Sequence, residues 1–427
     1  MAETYIISGA SIPGFAEKQD VLVSGGRIAA IAPRLPLPEG SGLVDASGLL
    51  LSYGFADIHV HFREPGNPEK ETIRSGSLAA ARGGYTTVCA MPNLDPVPDA
   101  PDTLQKELDI INKDALIEVL PYCSITKGRM GAEVVDMAAL KVSCCAFSDD
   151  GSGVQEDSAM LAAMDIAARE DCIIAAHCED NSLLRGGYIH DGRWCAAHGH
   201  KGICSESEWK QIERDLALCE RSGCRYHVCH ISTARSVELI RDAKARGVRV
   251  TCETAPHYLL LCEDDMQEDG RFKMNPPLRT AADREALVEG LRDGTIDAIA
   301  TDHAPHTAEL KSRGLAGSAM GVVGLETAFP VLYTGLVLSG RISLERLLEA
   351  LSAGPRRIFR LGGRLSAGER ADLCLIDPQA RYTIDSRSFK SKGRATPFDG
   401  MKVQGKIRMT IFNGSIVYDS TKEETGA

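Results

Sequence analysis

From about residue 52 to residue 306, eight short apolar runs alternate with helix-like stretches, and no other feature of the chain restricts its fold so tightly. The runs are ADIHVHF (56–62), TTVCAMPN (86–93), IEVLPYCSI (117–125), SCCAFSDD (143–150), IIAAHCED (173–180), RYHVCHIS (225–232), VRVTCETAPHY (248–258) and DAIATDHAPH (297–306). Several are too short for helices and rich in Val, Ile, Thr and Cys, as buried parallel strands should be. Between them lie helical patterns such as ETIRSGSLAAARGG, SAMLAAMDIAARED, STARSVELIRDAKARG and AADREALVEGLRDG. Several of these end in Gly, a common helix stop. Strand then helix, repeated eight times, predicts an α/β chain whose parallel strands close into a (β/α)₈ barrel of the TIM type. The closing helices are expected after residue 320, in GLETAFPVLYTGLVLSG and SLERLLEALSAG.

The two ends read differently. Residues 1–51 hold short strand-like runs broken by Gly (YIISG, DVLVSGGRIAAIAP, GLVDASG), and residues 363–427 hold similar ones (ADLCLIDP, KVQGKIRMTIFNGSIVYDS). Each end alone is too small to bury a sizeable core. Together they are expected to form one small β-sandwich beside a barrel spanning 52–362, since chain termini often lie close together. The length of 427 residues fits a barrel of about 250 residues plus such a unit. The terminal STKEETGA is expected to be frayed.

The formal net charge of -11 and the lack of any Lys/Arg block argue against nucleic acid or an anionic membrane as partner. The start, MAETYIISGASIPG, lacks the charged segment and apolar run of a secretory signal, and no apolar run approaches a membrane span. None of the 14 cysteines is spaced C-x-x-C. Many sit inside strand-like runs (Cys89, Cys229, Cys252, Cys374), as small buried hydrophobes of a reducing cytoplasm would.

The chemistry concentrates at strand ends. In DIHVHFR (57–63), alternation along a strand projects His59, His61 and Arg63 to one side. Two imidazoles at i and i+2 can grip one metal. An isolated H-x-H is equally consistent with core or surface histidines; its position adds weight, because barrel active sites gather at the C-terminal ends of strands. Asp150 ends the fourth run, His177 the fifth, His230 the sixth and Asp302 the eighth. Four histidines and two carboxylates supply ligands for two divalent metals a few ångströms apart. His190, His198 and His200 read as solvated residues of a loop over the barrel mouth. His227 and His257 read as core or rim residues, and His303 should point away from its neighbour Asp302. His306, just past the eighth strand, is placed to reach a substrate.

HVHFREPG, AMPNLDP, FSDDG, AAHCED, HVCHIS, CETAPHYL, MNPPLR, TDHAPH and GVVGLET together resemble the motif series of the dihydroorotases, in the bacterial type I group of the amidohydrolase superfamily. The resemblance spans about residues 5 to 420. It implies two Zn²⁺ ions, the first bound by His59, His61 and Asp302 and the second by His177 and His230. Relatives bridge the metals with a carbamylated lysine or, in this group, an aspartate. The fourth run has no lysine at its tip, Lys141 lying well upstream, so Asp150 is the expected bridge. Its neighbour Asp149 is separated from it only by the family pattern.

The implied reaction is the reversible hydrolysis of dihydroorotate, a cyclic diamide with a carboxylate, to N-carbamoyl-aspartate in pyrimidine synthesis. Metal binding lowers the pKa of water from about 15.7 to about 7, which would supply a bridging hydroxide. Asp302 would shuttle the proton to the leaving nitrogen. The substrate carboxylate needs a forked cationic donor, and Arg63 is one, unless Glu64 or Glu71 claims it. The resemblance adds Asn93 and His306 as its companions, with His61, Asn275 and the backbone around Met320 and Gly321 near the ring. Met320 departs from the bulkier aromatic expected there. The competing activities are hydantoinase, dihydropyrimidinase and allantoinase, which carry the bridging lysine and act on rings without the carboxylate. A non-catalytic partner of aspartate carbamoyltransferase would have lost ligands, and all six are present. Docking of an active enzyme on that transcarbamoylase is compatible with the sequence. A homodimer is the expected assembly. The Gly-rich segment 304–321 is the expected lid over the substrate.

Overall fold

The computed structural model describes residues 4–424. Its parallel strands follow the apolar runs. Phe55–Val60 pairs with Tyr85–Ala90, which pairs with Glu118–Pro121. On the far side, Ile173–Ala176 pairs with Arg225–Val228, then Val250–Thr254, then Ala298–Ile299. The fourth run is not a full strand. It joins its neighbours through single bridges, Cys123 to Phe147 and Phe147 to Ile174. Its backbone still bonds on both sides (Cys145 N–H to the Pro121 carbonyl, Phe147 N–H to that of Ile173), but too few consecutive residues pair to make a ladder. A parallel bridge from His303 back to Val60, with the His61 N–H donating to the His303 carbonyl at 2.8 Å, returns the pairing to its first strand.

The helices that back this ring begin where side chains satisfy free backbone N–H groups. Thr72 caps Ile73–Arg82, Thr233 caps Ala234–Ala245, and Thr280 with Asp283 forms a capping box on Ala281–Asp293. The closing helices after residue 320 are Ala328–Leu332, which widens into a π-turn, and Leu344–Leu348, which continues through a second π-turn into Gly354–Phe359. One apolar cluster lies between strands and helices, containing Tyr85, Val88, Ile240 and Leu291. Another fills the inside of the ring, where Ile58, Met91, Tyr122 and Ala175 meet Ile358 and Phe359.

The chain ends build two four-stranded sheets. One runs in the order Arg27–Ala32, Gln19–Ser24, Tyr5–Ala10, Gly42–Asp45. The other runs Ser415–Asp419, Lys402–Phe412, Leu373–Thr383, Leu50–Tyr53. A single apolar cluster, including Ile7, Val21 and Val23 from the first sheet and Leu51, Leu373 and Ile411 from the second, joins them. The strand at 50 runs on to Tyr53, two residues past the boundary read from sequence. Arg370 ties this unit to the ring through two 2.9 Å bonds to the Glu118 carboxylate. Ser420–Glu424 is helical, where fraying was expected; the last three residues of that segment lie outside the described residues. Among the described residues, no helix is long and apolar enough to cross a membrane. All 14 cysteines are free and most are buried, as read.

Candidate metal centre and active site

At the C-terminal ends of the ring strands, the six expected ligands converge, all buried. Asp150 stands in the middle. Its Oδ1 lies 3.3 Å from His59 Nε2, 3.6 Å from His230 Nε2 and 3.8 Å from His177 Nδ1, and its Oδ2 lies 3.6 Å from His61 Nε2. Asp302 Oδ1 lies 3.1 Å from His61 Nε2 and 3.7 Å from His59 Nε2. Three triads present ligand atoms within 4.8 Å of one another: His59, His61 and Asp302; His59, Asp150 and His230; and His59, Cys229 and Glu253. His177 Nδ1 is 3.0 Å from His230 Nε2.

The backbone bends to make this possible. The register between the first two strands shifts between Asp57 and Val60, a bulge that lets the adjacent residues Ile58 and His59 both reach partners inside the ring. His230 and Asp302 sit at φ 34° and 47°, a left-handed region that side chains adopt at a cost and that concentrates at functional sites. Arg63, at φ 61°, also leaves extended geometry, so it reaches the site through a turn and not by alternation past His61.

Asp149 and Asp150 separate cleanly. The Asp149 carboxylate accepts the Ile125 and Thr126 N–H groups at 2.8 and 3.0 Å and the Thr126 hydroxyl, which turns it away from the histidines. Burial alone would raise the Asp150 pKa, yet the His59 charge and the close approach of the His230 and His59 imidazoles hold it well below the carboxylate range. Asp302 is likewise lowered against its burial by His61 and the neighbouring imidazoles. His59 Nε2, Asp150 Oδ1 and His230 Nδ1 are buried without hydrogen-bond partners, which is costly for polar atoms unless something else satisfies them. A nitrogen–oxygen donor set of this density suits divalent cations.

Around the ligands lies a supporting layer. His59 Nδ1 faces Glu253 Oε1 at 3.1 Å, and His61 Nδ1 faces Asn93 Oδ1 at 2.8 Å. A proton on each Nδ1 leaves the Nε2 lone pairs for a metal. Glu179 lies 3.5 Å from His177 Nε2 and accepts the Asn275 amide at 2.9 Å.

Beside the cluster opens a cavity of about 220 Å³ whose lining includes all seven residues expected from sequence near the substrate: His61, Arg63, Asn93, Asn275, His306, Met320 and Gly321. Among the described residues, no carboxylate forms an ion pair with Arg63. Glu64 accepts the Ile73 N–H, and Glu71 is occupied by Ser75, Ser391, Lys392 and His303. Burial lowers the Arg63 pKa only to about 10, so the guanidinium stays charged, and its Nε is buried without a partner. His306 Nε2 donates to the Met320 carbonyl at 2.7 Å; burial, then the Arg63 charge, lowers its pKa to about 3.

The remaining histidines mostly follow expectation. His227 Nδ1 bonds Thr251 and its Nε2 lies 3.4 Å from Glu253; His257 is buried; and His303 turns from the cavity toward Glu71. His198 stacks on Trp194, and His200 bonds Tyr188 and Glu268. His190 and His200 correct the reading of a solvated loop: the His200 side chain is largely enclosed between its partners, and His190 goes further. It is buried beside Arg279, in a short strand pairing Ile189–His190 with Gly202–Ile203.

A family model described as dihydro-orotase-like matches residues 48–236. A dihydroorotase of Geobacillus sp. (strain WCH70) is 49% identical over 413 residues, covering 96% of this chain and 97% of that protein. The chain belongs to the dihydroorotase family. A family member from Shouchella clausii (strain KSM-K16) is 54% identical over 377 residues, 88% of each chain. Solved structures similar in fold include the L-hydantoinase (dihydropyrimidinase) from Arthrobacter aurescens, with a TM-score of 0.88, 27% identity and coverage of 98% and 96% of the two chains. The dihydropyrimidinase from Brevibacillus agri NCHU1002 shares the fold at a TM-score of 0.83 and 21% identity, covering 97% and 95%. Fold is therefore common to both activities, while sequence identity lies with the dihydroorotases.

Sequence reasoning missed Glu253 and Glu179. Each had a signal: Glu253 lies in the seventh run one residue before its strand ends at Thr254, and Glu179 lies two residues past His177 in AHCED. An ionisable residue at such a strand end belongs to the ligands or to their support.

Proposed function

We propose that the chain hydrolyses the cyclic amide of (S)-dihydroorotate to N-carbamoyl-L-aspartate and catalyses the reverse closure, as the names of its relatives suggest. The observation that carries this reading is Arg63, a charged guanidinium that no carboxylate among the described residues pairs with, in the cavity that also exposes the histidine–aspartate cluster. An anionic ring has a partner there that hydantoin or dihydrouracil would leave unused.

Two divalent ions, zinc in our reading, would be held by His59, His61 and Asp302 and by His177 and His230, with Asp150 between them. When bound they would supply Lewis acidity and an activated water. Asp302 would then receive the water's proton on its carboxylate and deliver it to the leaving ring nitrogen, reversing the roles in closure. Arg63 would hold the ring carboxylate by forked hydrogen bonds. Asn93 reaches it beside His61, and Asn275 and the Met320–Gly321 backbone border the ring. The eight-run ring is a (β/α)₈ barrel in this reading, spanning 52–362, with 1–51 and 363–427 as a sandwich that braces it.

The hydantoinase reading is weaker because Lys141, the nearest lysine before the fourth strand end, is spent in a surface pair with Glu170 at 2.8 Å. The test is to incubate metal-loaded protein with L-dihydroorotate and with N-carbamoyl-L-aspartate, following ring absorbance, alongside hydantoin, dihydrouracil and allantoin. Interconversion of the first pair alone is expected. Turnover of only the uncharged rings would overturn the carboxylate site.

A further inference from the structure

The segment expected to act as a lid holds a lysine in an unusual setting. Lys311 closes the short helix Ala308–Lys311, yet its side chain points inward and is only 7% exposed. Its Nζ donates to three backbone carbonyls: Lys273 at 3.0 Å, Ala319 at 2.8 Å and Gly321 at 2.7 Å. An ammonium group has three N–H donors, so each finds an acceptor. Among the described residues no carboxylate bonds to it, although the Asp269 charge acts on it from nearby. Burial, and then the nearby Lys273 charge, lower its pKa to about 7. A buried cation held by neutral carbonyls alone is expensive to keep. A residue needed only for packing would be served by an apolar side chain of the same length.

All three acceptors belong to the cavity walls or adjoin them. Gly321 lines the cavity, and Ala319 flanks Met320, whose carbonyl accepts the His306 Nε2–H. Lys273 stands two residues before Asn275, which also lines the cavity, and its carbonyl also accepts the Gly321 N–H at 3.0 Å. Gly321 itself has no room for a side chain: at φ 128°, a Cβ there would lie 2.7 Å from the Ala304 carbonyl.

We infer that Lys311 is a positioning residue for the substrate, its ammonium group fastening the 319–321 wall of the cavity to the 273–275 wall. At least this part of the segment is then a fixed wall, not a lid. The inference rests on the reading that the cavity holds the dihydroorotate ring.

Lys311→Met keeps the length and removes the donors; Lys311→Gln keeps two of them. For Lys311→Met, the KM for dihydroorotate should rise about tenfold while kcat stays within about threefold, because misplaced contacts weaken substrate binding without touching the reacting groups. Bound metal should match the wild type, and Lys311→Gln should fall between the two. Hydrogen exchange at the Gly321 amide should accelerate in the Met variant while the ring helices stay protected. A KM within twofold of wild type overturns the inference, even if the exchange changes. So does a parallel loss of kcat, metal and melting temperature with KM unmoved, which would leave Lys311 a stabilising residue only. If the Met variant does not fold, the Gln variant is judged on the same criteria. Metal-loaded wild-type protein that leaves dihydroorotate untouched defeats the substrate reading and this inference with it; an active wild type with an unmoved variant KM defeats the inference alone.

Discussion

Replacing Glu253 with Gln tests whether the supporting layer sets metal affinity. The carboxylate is fully buried, with Oε1 3.1 Å from His59 Nδ1 and Oε2 3.4 Å from His227 Nε2. Burial alone would raise its pKa, but bonds from His227 and His59 bring it from 4.5 to about 2, so it is an anion at neutral pH. The anion fixes the proton of His59 on Nδ1 and leaves Nε2 bare toward Asp150 and Asp302. Gln preserves the volume and one acceptor but not the charge. A hydrogen bond to a charged group is worth about 1.5–3 kcal/mol, and each 1.4 kcal/mol is tenfold in affinity, so the metal should bind about 10- to 100-fold more weakly. Losing an outer-shell partner of a metal-binding histidine typically costs the same. The assay is competition between metal-stripped protein and a chelator of known Zn²⁺ affinity, for wild type and variant. Affinities within twofold of each other would refute an orienting role for Glu253. The metal-free proteins give a second check. The folded-state pKa of Glu253 is depressed, so its contribution to stability is present above pH 4.5 and lost as pH falls toward 2; acid should narrow the stability gap between wild type and Glu253→Gln over that window.

Four further outcomes follow from the same geometry. Asp302→Asn should abolish turnover while metal content, measured by elemental analysis, stays largely intact; wild-type rates would remove Asp302 from proton transfer. Arg63→Met should raise the KM for dihydroorotate by about 10- to 100-fold, the worth of a charge-assisted hydrogen bond, with metal loading unchanged. Asp150→Asn should lose bound metal, whereas Asp149→Ala should mainly lower the unfolding free energy measured in urea, by about 1–3 kcal/mol for the backbone donors it strands. Gly83→Ala should destabilise by about 1–3 kcal/mol in urea, because a Cβ there would sit 2.2 Å from the Leu325 carbonyl.

Periodicity and motif spacing alone showed the number and order of the runs, the strand-like character of both chain ends and five of the six ligand candidates. These are local properties: a strand's apolar run and the residue at its end are adjacent in the chain. The resemblance singled out Asp150, and the Asp149 bonds to Ile125 and Thr126 supply the physical reason, which no spacing rule contains. Only the tertiary structure decided how His59 faces inward, because a one-residue bulge against the second strand re-aims it. The fourth run became a bridge and not a strand, since pairing depends on two neighbours distant in sequence. His190 became buried because Arg279, 89 positions away, packs beside it. Glu253 and Lys311 acquired roles only when chain segments far apart brought the His59 ring and the Lys273, Ala319 and Gly321 carbonyls to them. Burial and long-range hydrogen bonding are properties of the assembled ring, and they decide which of the charged residues legible in the sequence hold a ligand, hold a wall or hold each other.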